Sequence, residues 1–249
     1  MALKCAFEER EVRSMKWLSN TSIDELGNGL VKNYTDISKN IGFSVDIVGF
    51  VTKYLKLPIV YQRFAEDDMS KLGFISDGKT PLLIFSAGKR LKKIFPKGTI
   101  VIEEFLCAER ELGRQRFTIA HEAAHYIVDK SLSIASFHRE FDTEQTYSTN
   151  DLKAIFNINE ANVDRLAGAI LMPEFMIKSY LLKHKREMGI TVYDNCFIRP
   201  EDNIFLQRMA NAMQVSFTAL QIRITQLGLY EKRALNEYIE EIGLGKEIT

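Results

Sequence analysis

Apolar residues along this chain keep a helical period near both ends and lose it in between. Ile23, Leu26, Leu30 and Tyr34 are spaced for one helix face, after a polar start at Ser22 with early acids at Asp24 and Glu25. Ile47, Val48, Val51, Tyr54 and Leu55 form a second stripe, which predicts a helix from Asp46 to Leu57 that stops before Pro58. Ile59–Tyr61, Leu72–Ser76, Leu82–Phe85 and Thr99–Ile102 are instead short runs rich in strand formers. Asp77-Gly78 with Pro81 reads as a hairpin turn between the second and third of them. The helical period returns from Arg114 to Asp129, from Asn159 to Leu171, and from Pro173 to Arg186 with the proline in the first turn. Beyond Pro200 it runs through Phe205, Leu206, Met209, Ala210 and Met213 to Ala219, Leu220, Ile222 and Ile224. The pattern predicts an α+β fold: mainly helical, with a small, mostly antiparallel sheet before the helix at 114–129 and a helical C-terminal region. Residues 1–20 lack a clear period and read as an N-terminal arm, 21–190 as the main domain, and 191–249 as a C-terminal helical subdomain.

The helix at 114–129 carries the candidate chemistry. It contains His121-Glu122-Ala123-Ala124-His125, and two of the four histidines in the chain sit there. Residues four apart on a helix are neighbours on one face, about 5–6 Å apart at Cβ. Two imidazoles so placed can grip one zinc ion, while Glu122 stands beside them, within reach of a water rather than of the metal. The bland alternative is a surface helix that happens to carry two histidines. A catalytic zinc site needs a third protein ligand and one open position. Glu160 is the best candidate, because it begins a second apolar-sided helix and has Asp164 four residues on. Asp164 could accept a hydrogen bond from a ligand histidine and fix its tautomer. An exposed acidic helix face is the plainer reading of that pair. The rival donors are His138, Asp142, Glu144 and His184. With one Zn2+ per chain lowering the pKa of a water, Glu122 would serve as general base and return the proton to the leaving amine. A donor to the developing oxyanion is also needed. His138, Tyr147 and Tyr193 are candidates, and the residues alone do not choose among them. On this reading 21–190 is a zinc metallopeptidase domain of zincin-like form.

Composition narrows the setting more than the chemistry. Apolar residues are 46% and charged residues 27%, as in ordinary globular proteins, and 249 residues can bury a substantial core. Lys+Arg and Asp+Glu both number 33, so global charge argues for neither nucleic acid nor membrane. The N-terminus lacks a signal-peptide core, and no run reaches the length of a membrane span. Cys5, Cys107 and Cys196 are odd in number and far apart, which suits reduced thiols and a cytoplasmic protein. The basic run Lys89 to Lys97 reads as a solvated loop face; its functional reading is a contact surface for an acidic or nucleic-acid-bound partner.

The stretch Arg116-Phe117-Thr118-Ile119-Ala120-His121-Glu122-Ala123-Ala124-His125 resembles the core of the ImmA/IrrE family of metallo-endopeptidases. Glu160, Asp164, Leu166-Ala167 and Ile170-Leu171-Met172-Pro173 fall on a further family pattern, with Asn162-Val163 in place of its inner Glu-Ala pair. The ending Val215-Ser216, Ala219-Leu220, Arg223 and Leu227-Gly228-Leu229 is also similar. The resemblance implies a gluzincin-like peptidase with Glu160 as third ligand and Asp164 behind the ligand histidines. It also implies a protein substrate, a helix-turn-helix repressor whose cleavage relieves repression.

A rival reading comes from Phe205 to Leu229, whose spacing is that of a helix-turn-helix with Thr218 to Gln226 as recognition helix. The chain would then be a DNA-binding or repressor-docking regulator with a non-catalytic metal site. The segment offers only Arg208 and Arg223 as cations, so direct DNA binding by it is not expected.

Overall fold

The computed structural model describes residues 19–38, 42–68, 70–131, 149–186, 190–194 and 197–242. In chain order, α1 is Asn20–Ser38 and α2 is Ile47–Gly49, which runs on into a π-helical turn at Phe50–Tyr54. Asp46 starts α2 by accepting from the Gly49 amide at 2.9 Å. The predicted helix from Asp46 to Leu57 is therefore present but widened, with Leu55 N–H donating to the Phe50 carbonyl five residues back.

Strands β1 (Ile59–Gln62), β2 (Gly73–Ile75), β3 (Leu82–Ser86), β4 (Lys89–Lys93) and β5 (Ile100–Glu103) follow. β5 is the centre of a three-stranded sheet of order β1-β5-β2, parallel to β1 and antiparallel to β2. β3 and β4 form an antiparallel hairpin. Two of these three pairings are antiparallel, as expected. The hairpin is in a different place from the one predicted. Asp77-Gly78 lies on the connection from β2 to β3, but those two strands do not pair. The Asp77 carboxylate accepts from the amides of Lys79 and Thr80 and turns the chain out of the sheet. The two-residue turn is Ala87-Gly88, both at positive φ (49° and 75°), as a tight hairpin loop requires. The basic run expected to be a connection supplies β4 itself.

All four residues of β5 are buried, and the strand's alternation divides the three apolar ones between two cores. Ile100 and Ile102 join the main core, while Val101 joins Leu82, Ile84 and Phe95 in a smaller one under the hairpin. The hairpin thus lies on the opposite face of the sheet from α3 (Leu112–Ser131), which packs on β2 and β5.

α3 packs on α4 (Thr149–Leu171), and α1 crosses α4 on another side. That second crossing is close: a Cβ on Gly27 would meet the Ala169 Cβ at 2.5 Å, so only glycine fits. Then come α5 (Glu174–Lys183), β6 (Ile190–Tyr193), α6 (Pro200–Met213), α7 (Phe217–Gln226), β7 (Tyr230–Arg233) and α8 (Leu235–Glu241). β6 and β7 pair in parallel. The main core is continuous from Ile23 on α1 to Ile224 on α7. Among the described residues no helix is long and apolar enough to cross a membrane.

Candidate metal centre

Helix α3 turns two kinds of surface in two directions. Ile119, Ala120, Ala123, Ala124, Ile127 and Val128 are buried in the core, and the alanines keep that face thin enough for α4 to approach. His121 and His125 stand together off that face, half-buried, with their rings edge to face at 4.8 Å. Their Nε2 atoms are 3.1 Å apart. Val163, Leu166, Ala167 and Ile170 seat α4 in the core, and this presents Glu160 and Asp164 at the histidines. Glu160 Oε2 lies 3.5 Å from His121 Nε2 and 3.6 Å from His125 Nε2. Asp164 Oδ1 lies 2.9 Å from His121 Nδ1.

These distances fit an ion. Donors about 2.0–2.1 Å from a tetrahedral centre lie about 3.3 Å from one another. The observed separations of 3.1, 3.5 and 3.6 Å bracket that value. His121, His125 and Glu160 form a cluster able to hold a metal. Asp164 takes the other ring nitrogen of His121, so Nδ1 is the protonated one and the Nε2 lone pair faces the cluster. Burial opposes a charge on His121. The Asp164 hydrogen bond and the charges of Glu122, Asp164 and Glu160 outweigh it, leaving the ring's pKa raised.

Glu122 points from the same turn into a different environment. It is buried at 8% exposure, against β2. Burial pushes its carboxyl from 4.5 up to about 7, with the Glu160 charge adding to the rise. The His121 charge, a hydrogen bond from the Ile75 amide and Lys71 work the other way. Gly73 explains how the carboxylate fits. A Cβ there would lie 2.6 Å from Glu122 Oε1 and 2.6 Å from Thr118 Cγ2.

β2 is the edge strand of its sheet. The Leu72 carbonyl and the Ser76 amide bond toward β5, through Glu103 and Thr99. By alternation Gly73 and Ile75 face the other way, and the Ile75 amide reaches Glu122. The site therefore combines three metal-binding donors, a buried carboxyl near neutrality and a strand edge that pairs with no other strand among the described residues.

Residues 95–225, more than half of the chain, match the IrrE N-terminal-like domain of peptidase family M78. The chain belongs to that family. No curated protein matches the sequence. Membership of M78 makes this a metallopeptidase-family domain, and its matched region contains the whole cluster from His121 to Asp164.

The remaining candidates fall elsewhere. His184 donates from Nδ1 to the Tyr180 carbonyl and stacks on the Tyr180 ring, and it is not part of the cluster. Tyr193 packs against Phe197 and Tyr238, and its hydroxyl accepts from Arg199. His138, Asp142, Glu144 and Tyr147 lie outside the described residues. Gly73 and Ile75 were not singled out in the sequence. Gly73 was visible only as a glycine inside a strand run, a signal of close backbone approach.

Proposed function

We propose that this M78 protein is a zinc-dependent endopeptidase in which Glu122 is the general base. The observation that carries the proposal is the set of donors on His121, His125 and Glu160, at spacings suited to one ion, beside a buried carboxyl. A bound divalent ion would polarise a peptide carbonyl and lower the pKa of an attacking water. Two imidazoles and a carboxylate suit zinc. Asp164 holds the His121 ring in the tautomer that offers Nε2. Glu122, held by burial beside the donor cluster, is placed to take the water's proton and pass it to the leaving amine. The outward amide of Gly73 and the outward carbonyls of Gly73 and Ile75 suit a substrate in extended form, laid along the edge of β2 beside Glu122.

The substrate class we infer is a helix-turn-helix repressor. Support for this comes from the resemblance of Arg116–His125 and Glu160–Pro173 to the ImmA/IrrE core; the edge of β2 asks only for an extended segment in the protein that is cut. The other reading, a DNA-binding regulator acting through α7, finds little support in that helix. Its exposed residues are Thr218, Ile222 and Thr225, and Arg223 is only 1% exposed.

The test mixes the zinc-loaded protein with a small helix-turn-helix repressor encoded beside it and follows fragments by mass spectrometry. Wild type should cut at one or a few bonds. Glu122→Gln should bind zinc as well and lose about a thousandfold or more in rate. A Glu122→Gln variant that cuts as fast as wild type would remove Glu122 from the mechanism.

A further inference from the structure

Charge is segregated on the side of the sheet that the metal centre does not use. Between Asp77 and Glu103 the chain has six cations, Lys79, Lys89, Arg90, Lys92, Lys93 and Lys97, and no acid, although its formal net charge is zero. Four of the six lie on β4, and all five residues of that strand are exposed. β4 pairs with β3, and its outer edge is free among the described strands. Strand alternation sends Lys89, Leu91 and Lys93 to one face and Arg90 and Lys92 to the other.

Little neutralises this surface. Arg90 meets Asp67 at 3.3 Å in an exposed pair, and such pairs contribute little. Arg90 and Arg63 also flank the Phe85 ring, and Lys93 lies over Phe95, which holds some of the cations against the hairpin. Among the described residues no acid lies within ion-pair distance of Lys89, Lys92, Lys93 or Lys97. Edge lysines also discourage strand pairing between chains. That role does not call for cations on both faces, nor for a flanking stretch without a single acid.

We propose that the β3–β4 hairpin binds the phosphate backbone of duplex nucleic acid without sequence preference. Lysines and arginines free of acidic neighbours are what counterion-releasing phosphate contacts need. A two-stranded ribbon is narrow enough for the major groove, about 12 Å wide. The cations are spread along an exposed strand and over both of its faces, which suits a repeating line of phosphates better than one acidic side chain. The hairpin packs on Val101, on the face of the sheet opposite α3, so a bound duplex leaves Glu122 and β2 open. This goes beyond the peptidase reading and stands whether or not that reading holds. If both hold, the hairpin keeps the enzyme where a DNA-bound repressor is found.

The test uses the full chain and a fluorescent random-sequence duplex DNA, with anisotropy read from about 50 to about 200 mM salt. Wild type should bind at low salt with a slope of log K against log salt of about −4, for about four neutralised phosphates. Lys89→Glu with Lys92→Glu touches no buried group and should weaken binding at least about tenfold while flattening the slope by about 2. A control, Lys53→Glu with Lys232→Glu, removes the same charge elsewhere and should leave affinity unchanged. The proposal is overturned if wild type fails to bind at about 50 mM salt, if the hairpin variant binds as wild type does, or if the control weakens binding equally. It also falls if polyglutamate displaces the duplex at equal charge concentration, which would make the surface one for acidic proteins.

Discussion

α3 and α7 are of one molecule and one core, yet they use their polar residues in opposite ways. On α3 the side chains with chemistry stand at the edge of the packed face. His121 and His125 have each other, Glu160 and Asp164 as neighbours, a grouping that serves an ion better than it serves packing. On α7 the one cation turns inward. Arg223 Nη1 meets Asp24 at 2.5 Å and its Nε meets the Met172 carbonyl at 3.1 Å, while Arg165 from α4 meets the same aspartate. That ties three helices together and leaves no charge on the outer face of α7. A polar residue in a helical motif does one job or the other, and its neighbours across the helix interface decide which.

The largest expected effect breaks the structural side of this contrast. Arg223→Met leaves Asp24 buried with Arg165 alone, and loss of one partner of a buried pair costs about 3–5 kcal/mol. Chemical denaturation should show that loss, with metal affinity of the remaining folded protein unchanged. A variant as stable as wild type would mean that α7 is not anchored through Arg223.

Next in size is Gly73→Ala, which tests the catalytic side. The new methyl would meet both Glu122 and Thr118 at 2.6 Å, so the carboxylate must shift. A misplacement of that order costs about a hundredfold in kcat. KM and zinc content should hold, because the histidines and Glu160 lie outside the clash. Restoration of activity by a second change, Thr118→Ser, would show that helix packing and not the carboxylate is at fault.

The two regions were not equally legible in the sequence. His121, Glu122 and His125 could be grouped, and Glu160 with Asp164, because each set spans one helical turn, a spacing that survives folding unchanged; joining the two sets across helices rested on the family resemblance. Arg223 was visible as a cation but not as a buried one, since Asp24 and Met172 come from distant parts of the chain. β2 was foreseen as a strand, while its place against Glu122 depends on sheet order, which the run of residues does not encode. The hairpin was misplaced for a related reason. Asp77-Gly78 has turn chemistry, and its aspartate uses it locally; Ala87-Gly88 makes the actual hairpin with a residue that is not a usual turn former at its first position.

A smaller effect sharpens the account of Glu122. Its folded pKa of about 7 lies above the ordinary 4.5. Below 4.5 the carboxyl is neutral in both folded and unfolded chains and costs nothing. As pH rises from 4.5 to about 7 the unfolded chain ionises first, so stability falls; above about 7 the loss is complete. In metal-free protein Glu122→Gln should therefore add up to about 3 kcal/mol of stability above pH 7, read as a higher melting temperature, and do little near 4.5. An equal gain at both would show that burial of the charge is not what perturbs this group.

The most direct measurement is a crystal structure of the zinc-loaded protein with the ion located by its anomalous scattering. The account predicts one peak per chain about 2.0–2.1 Å from Nε2 of His121 and His125 and about 2.0–2.2 Å from a Glu160 oxygen. Glu122 should sit beside the ion without binding it. A peak ligated by a fourth protein side chain, or one that leaves Glu160 aside, would contradict the account.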